Sequence, residues 1–158
     1  MKSLLSTLIL VATCNIALAS EPAPVINLPG INGTVQSEAF KGKVVYVDFW
    51  ASWCKPCKQS FPWLNDMESR YKKLGFEVLA INLDQEQSAA NEFLQKIPAN
   101  FTVAFDPSGK TAEQFHVQGM PSSYLIDRQG NIRAAHIGFR EDDRAKLEQA
   151  VTKLLQEK

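Results

Sequence analysis

Metal-ligating residues are few in this sequence. It has three cysteines and two histidines among 158 residues, and only Cys54 and Cys57 lie close together. A structural zinc site takes four such ligands at suitable spacing, whereas here no second cysteine pair is present, and His116 and His136 are twenty residues apart. The sequence therefore disfavours a structural zinc site. The Cys54/Cys57 pair is expected to have another role.

Positive charge is not in excess either. The 17 lysine and arginine residues are balanced by 17 aspartate and glutamate residues, and no stretch of the chain concentrates the basic ones. Nucleic acids and anionic membranes are usually bound through such a basic cluster, so both are disfavoured as partners. The sequence also lacks internal repeats, low-complexity tracts and signs of a second domain, which favours one globular unit.

Long apolar runs are confined to the N-terminus. Lys2 precedes a mostly apolar stretch, Leu4 to Ala19, that ends in Ala17-Leu18-Ala19. This is the pattern of a secretory signal peptide with a small-x-small cleavage site, and it predicts removal of residues 1–19. A transmembrane anchor is the alternative, but a run this short that contains polar residues is marginal for crossing ~30 Å of hydrocarbon.

Cys14 offers a second alternative, a lipoprotein, because residues 10–14 have the outline of a lipobox. Thr13 is a poor residue directly before a lipidated cysteine, so we expect cleavage between Ala19 and Ser20 instead. The mature domain, residues 20–158, then carries 16 basic and 17 acidic residues and only two cysteines. In the oxidising periplasm, a lone Cys-x-x-Cys pair with no structural disulfide points to thiol exchange.

The motif Cys54-Lys55-Pro56-Cys57 lies where a buried strand is followed by a helix. Val44 to Val47 form an apolar β-branched run, and apolar residues then recur at helical spacing from Phe61 to Leu74. The free N–H groups and positive dipole end of a helix start stabilise a thiolate at Cys54, and the Lys55 charge adds to this. Pro56 fits an early helical position. We therefore expect Cys54 to be an exposed nucleophile and Cys57 a buried resolving cysteine.

The segment Asp48 to Cys57 resembles the active site of the thioredoxin superfamily, with Lys55 where thioredoxin usually has glycine. Flanking motifs narrow the resemblance to the exported TlpA/ResA-like branch: Lys41-Gly42-Lys43, Phe61-Pro62, Gly119-Met120-Pro121 and Leu125-Ile126-Asp127. The resemblance covers about residues 27–156. It implies an α/β, thioredoxin-like fold with a central mixed β-sheet flanked by helices, an N-terminal hairpin and the inserted segment of the TlpA type.

The resemblance also implies a proton carrier. Asp48, six residues before Cys54, would be the buried carboxylate behind Cys57, with a raised pKa, exchanging the proton of that thiol through water. The alternative is a surface-facing strand residue. Relatives in this branch often carry glutamate three residues after the second cysteine, and Ser60 occupies that position here.

A second loop is implied to face the disulfide. Pro121 would be the cis-proline of this fold, whose missing N–H leaves the neighbouring backbone free to pair with an extended substrate; an ordinary trans turn proline is the alternative. Together with Pro121, four residues are expected to bind substrate: Trp53, Lys55, Pro56 and Met120. No cofactor or metal is expected, and neither His116 nor His136 has an identifiable partner.

Further elements follow from periodicity and turn signals. Asn32-Gly33 predicts a short hairpin, and Pro62 should kink the helix in which it lies. Asp142 or Asp143 is the expected N-cap of the last helix. The remaining predicted strands are 76–83, 101–105, 124–127 and 132–137, and the remaining helices are 88–97, 111–115 and 142–156.

These features favour a periplasmic thiol–disulfide oxidoreductase, acting as a reductant of protein disulfides. The resemblance implies cytochrome c maturation as one client pathway. The oxidised enzyme would need electrons from a membrane thiol donor, and we expect a monomer. A disulfide donor or isomerase uses the same residues, and only reduction potential and partner decide the direction. A non-catalytic copper module is the alternative from another class. A peroxiredoxin-type peroxidase is disfavoured because no threonine lies two or three residues before Cys54.

Overall fold

The computed structural model describes residues 21–157. The predicted signal peptide, its cleavage site after Ala19 and the lipobox at Cys14 lie outside the described residues. No helix in the described part of the chain is long and apolar enough to cross a membrane.

Eight strands form one mixed sheet in the order β1-β8-β7-β4-β5-β6-β2-β3. Strands β4, β5 and β6 run parallel, and the other neighbours are antiparallel. The strands are β1 (Glu21–Pro22), β2 (Asn27–Gly30), β3 (Gly33–Gln36), β4 (Val44–Trp50), β5 (Phe76–Asn82), β6 (Thr102–Phe105), β7 (Ser122–Ile126) and β8 (Asn131–Ile137). The predicted mixed sheet with an N-terminal hairpin is confirmed.

Four α-helices flank the sheet: α1 (Lys55–Tyr71), α2 (Gln87–Lys96), α3 (Lys110–Gln114) and α4 (Asp143–Gln156). Two 3-10 helices, Ser37–Phe40 and Lys72–Leu74, complete the described elements. Helix α2 is the predicted helix of the inserted segment. Helix α1 begins at Lys55, so the cysteines lie at its first turn as predicted, and it continues through Pro62.

Strand β4 is the centre of the molecule, since all seven of its residues are buried. Its alternating side chains feed two apolar clusters, because successive residues of a strand point to opposite faces. Val44, Tyr46 and Trp50 join the cluster that contains both cysteines and the apolar side of α1. Val45, Val47 and Phe49 join the cluster on the other face, with Phe115 after α3.

Two local predictions need correction. The hairpin turn consists of Ile31 and Asn32, because Gly30 pairs directly with Gly33. Gly30 has no room for a side chain, since an added Cβ would lie 2.6 Å from Val35 Cγ2. At α4, Asp142 is the N-cap residue but makes no side-chain cap bond.

Candidate active site

The cysteines lie at the carboxyl end of β4, where the chain turns into α1. Cys54 and Cys57 form a disulfide with their Cα atoms 5.3 Å apart. Cys54 is the N-cap of α1, and its sulfur accepts a hydrogen bond from the Cys57 N–H at 3.2 Å. Pro56 lies in the first turn, where its missing N–H leaves no helical bond unmade. The Cys54 sulfur thus occupies the position that the helix start makes favourable for negative charge.

Both cysteines are almost inaccessible to solvent. Cys57 is fully buried and Cys54 is only 3% exposed. The prediction of an exposed Cys54 is therefore too strong for the oxidised protein, because this residue joins the apolar cluster beneath the sheet. The neighbouring side chains are accessible instead: Trp53 is 70% exposed, and Lys55 is also exposed.

Asp84 holds the loop between β4 and Cys54 in place. Its Oδ2 accepts the Ser52 backbone N–H at 2.9 Å, and its Oδ1 accepts the Ser52 hydroxyl at 2.9 Å. The Asn82 side-chain amide donates to Asp84 Oδ2 at 2.8 Å. Sequence reasoning missed this contact. A signal was present, because β4 and β5 are parallel and residues that follow such strands meet at the same edge of the sheet.

Asp48 is buried on the face of the sheet that carries α1. It is 2% exposed, and its neighbours across the sheet are Ala80 on β5 and Ser123 on β7. Its Oδ2 atom has no hydrogen-bond partner among the described residues. Burial raises the pKa of this carboxyl well above its ordinary value. The alternative of a surface-facing strand residue is excluded.

Ser60, which stands where relatives often have glutamate, is also buried. Its hydroxyl donates to the Cys57 carbonyl oxygen at 3.1 Å. The Ser60 hydroxyl is therefore hydrogen-bonded to the backbone of α1. Asp48 is thus the buried carboxyl that β4 carries on the face of the disulfide cluster.

The loop before β7 contains the predicted cis bond. The Met120–Pro121 peptide is cis, which excludes an ordinary trans turn. The Pro121 carbonyl accepts the Gly138 N–H at 2.7 Å, and the Ser122 hydroxyl donates to the Gly119 carbonyl at 2.6 Å. Met120 is half-buried and packs on the apolar cluster that includes Cys54 and Cys57. Met120 and the redox pair therefore belong to the same apolar cluster.

The two histidines differ in their surroundings. His116 is exposed and has a left-handed backbone, with a φ of 56°. His136 has a neighbour that sequence reasoning did not find, since its Nε2 lies 3.4 Å from Asp143 Oδ2. Within residues 21–157, no cluster of three or more His, Cys, Asp or Glu side chains is arranged to hold a metal ion.

Comparison with known proteins places this geometry in a family. A model of the Redoxin family matches residues 18–151. The chain belongs to the Redoxin family, within the thioredoxin superfamily. A solved structure described as a candidate thiol:disulfide interchange protein DsbE of Chlorobium tepidum is 51% identical, with a TM-score of 0.85. The match covers 86% of this chain and 96% of that one. This Redoxin chain therefore has the predicted thioredoxin-like fold.

Curated relatives of this chain include the thiol-disulfide oxidoreductase ResA of several Bacillus species. ResA, a thiol-disulfide oxidoreductase of Bacillus anthracis, is 32% identical over 120 residues, which cover 76% of this chain and 68% of that protein. ResA of Bacillus thuringiensis subsp. konkukian (strain 97-27) is 35% identical over 98 residues, which cover 62% of this chain and 57% of the relative. The Redoxin chain thus spans little more than half of that relative.

Proposed function

We propose that this protein is a thiol–disulfide oxidoreductase that reduces disulfides of client proteins. One observation carries the proposal: the Cys54–Cys57 disulfide closes the first turn of α1, with the Cys54 sulfur as its N-cap. A thiolate at that sulfur is stabilised by the helix dipole and by the Cys57 N–H, which is the property that a nucleophilic cysteine requires. The relatives named thiol-disulfide oxidoreductase support the same activity.

The reaction proceeds by two exchanges. The Cys54 thiolate attacks one sulfur of the client disulfide, forms a mixed disulfide and releases the other client sulfur as a thiolate. Cys57 then loses its proton and attacks Cys54, which forms the Cys54–Cys57 disulfide and releases the second client thiolate. Two electrons pass from the enzyme dithiol to the client, and a thiol donor must return them.

Asp48 is the proposed acceptor of the Cys57 proton. It lies on the same face of β4 as the disulfide cluster, and burial raises its pKa well above the ordinary value, which makes the carboxylate a stronger base. Client contacts are assigned to the surface around Cys54, which comprises Trp53, Lys55, Pro56, Met120 and Pro121. Exposed Trp53 and half-buried Met120 suit apolar segments of varied sequence.

Compartment and partners belong to the same proposal. We place residues 20–158 in the periplasm as a monomer after cleavage at Ala19, supported by the signal-peptide pattern. A membrane thiol protein would supply electrons, and apocytochromes whose haem-binding cysteines must be reduced are one client class. The reduction potential of the Cys54–Cys57 pair sets the direction of electron flow. A disulfide donor or isomerase would therefore use every residue named above.

Trapping tests the two cysteine roles. Cys57→Ala should accumulate mixed disulfides with a disulfide-containing client, because Cys54 still attacks but nothing resolves the product. Cys54→Ala is the matched control and should accumulate none. Non-reducing electrophoresis and mass spectrometry identify the adducts, and equal trapping by both variants would contradict the assignment.

Equilibration of the Cys54–Cys57 pair with glutathione tests the direction. A potential near about −270 mV, as in thioredoxin, supports the reductant, whereas one near about −120 mV would make the protein a disulfide donor.

A further inference from the structure

Asp48 is the first member of a polar row that crosses three strands. It lies opposite Ser123 in the β4–β7 pair, and Ser123 lies opposite His136 in the β7–β8 pair. Residues directly opposite one another point to the same face, with Cβ atoms about 4.5–5.5 Å apart. The row therefore runs from the middle of the sheet toward its rim on the face covered by α1 and α4.

The middle of the row is a pair of buried hydroxyls. Tyr46 and Ser123 are hydrogen-bonded, with 2.8 Å between the phenol oxygen and Oγ. One hydroxyl proton is used in that bond, so the other remains available for donation. Burial first, and the nearby Asp48 carboxylate second, raise the pKa of Tyr46, which keeps the phenol protonated.

A small cavity continues the row past the hydroxyls. It has a volume of about 20 Å³, and its polar lining comes from Tyr46, Ser123 and His136. A cavity needs roughly 10–15 Å³ to hold one water molecule, and this volume is sufficient. Most of the lining is apolar, so a water here depends on the polar atoms of Tyr46, Ser123 and His136. Its remaining walls are apolar side chains or backbone of β7, β8 and α4. A water in this position would link the hydroxyl pair to the imidazole.

His136 forms the outer end of the row. Its Nε2 is enclosed and has no hydrogen-bond partner within residues 21–157, while its side chain as a whole is 27% exposed. The charged groups nearest to it are Asp143 of α4, with Oδ2 at 3.4 Å from Nε2, and Arg140, whose Nε lies 3.6 Å from the same oxygen.

We infer that Ser123 and His136 form a proton relay that connects Asp48 with solvent, through the Tyr46 hydroxyl and one water. The inference rests on the proposed function, in which Asp48 takes the proton of Cys57 during resolution. The Asp48 acid gives its proton to the hydroxyl pair, which passes one to the water; the water passes one to Nε2, and the imidazolium releases one to solvent. No electrons move, and each group regains its starting state. Ser123 and His136 are positioning residues that act through Asp48.

The test measures exchange of the Asp48 proton directly. An upward pH jump that passes the raised pKa of Asp48 ionises this carboxylic acid, and its infrared C=O band then disappears at the rate of proton loss. Asp48→Asn identifies the band. His136→Gln keeps a polar side chain that cannot take the proton, and we expect it to slow the band's decay about tenfold, less than the 10²–10⁴-fold of a direct acid–base group, because solvent still penetrates slowly.

Two further variants separate the relay from a structural effect. His116→Asn removes the other histidine, which lies outside the row and has a left-handed backbone that asparagine tolerates, and it should decay like wild type. His136→Ala opens a partly exposed site, and free imidazole in the buffer should restore the wild-type decay rate. A merely structural role for His136 would not respond to imidazole.

The outcomes are distinct from those of the client reaction. Equal decay in wild type and His136→Gln overturns the relay, as does slow decay of His136→Ala that imidazole leaves unchanged. A wild-type band that persists at the higher pH also overturns it, because Asp48 then never releases its proton. If the bands behave as expected but Cys57→Ala traps no client, the relay exists and the proposed function is what fails.

Discussion

The burial of Asp48 makes the stability of this protein depend on pH in an unusual direction. Its carboxyl is enclosed, its Oδ2 lacks a partner among the described residues, and burial raises its pKa. The substitution Asp48→Asn keeps the shape of the side chain and removes the ionisation. Both side chains are neutral and similarly buried at low pH, so their difference in stability is the smallest there.

The sign and size of this pH dependence follow from the number of protons that the folded and the unfolded chain bind. Below about 3.9, the carboxyl is protonated in the folded and in the unfolded chain, and ionisation costs nothing. Above that value and up to the raised folded pKa, the unfolded chain loses a proton that the folded chain keeps. Unfolding is therefore favoured as pH rises, by up to about 1.4 kcal/mol per pH unit. Two pH units within this window amount to roughly 3 kcal/mol, a large part of a typical 5–15 kcal/mol.

Urea unfolding of the oxidised proteins measures this difference. The free energy of unfolding of Asp48→Asn minus that of wild type should grow from about pH 4 upward and level off once Asp48 ionises in the folded state. Asp142→Asn is the matched control, because Asp142 is exposed and makes no cap bond, and its difference should stay flat. A difference for Asp48→Asn that is constant across the same range refutes the reasoning.

Two other predictions concern the loop before Cys54 and the predicted signal peptide. Asp84→Ala should lower the free energy of unfolding by about 1–3 kcal/mol, because it leaves the Ser52 N–H and the Asn82 amide without their acceptor, and it should speed alkylation of reduced Cys54. Urea unfolding and timed alkylation measure both effects, and a loop contribution is ruled out if Asp84→Ala matches wild type in each. The exported protein should begin at Ser20, and an intact mass that shows an acylated Cys14 would overturn the proposed cleavage.

Local sequence patterns predicted most of the fold and the centre of the candidate site. The apolar run of β4 followed by Cys-x-x-Cys predicted the strand-to-helix junction, because burial and helix capping depend on adjacent residues. The Asp84 clamp and the His136–Asp143 approach were not predicted, since both depend on which strands and helices become neighbours. The accessibility of Cys54 was overestimated for a related reason: the helix start favours a thiolate, but packing from distant segments decides how much of the sulfur solvent reaches.

The interrupted rim of the sheet next to β8 has a consequence for a protein that handles unfolded clients. Within residues 21–157, strand β1 pairs only with Asn131 and Ile132 of β8, and one of its two residues is Pro22, which has no N–H to offer a further strand. Charged Arg133 follows immediately on the uncovered part of β8. Short strands, proline and charge at a sheet edge oppose aggregation through strand addition. These features therefore disfavour the addition of an extended polypeptide to this edge of the sheet.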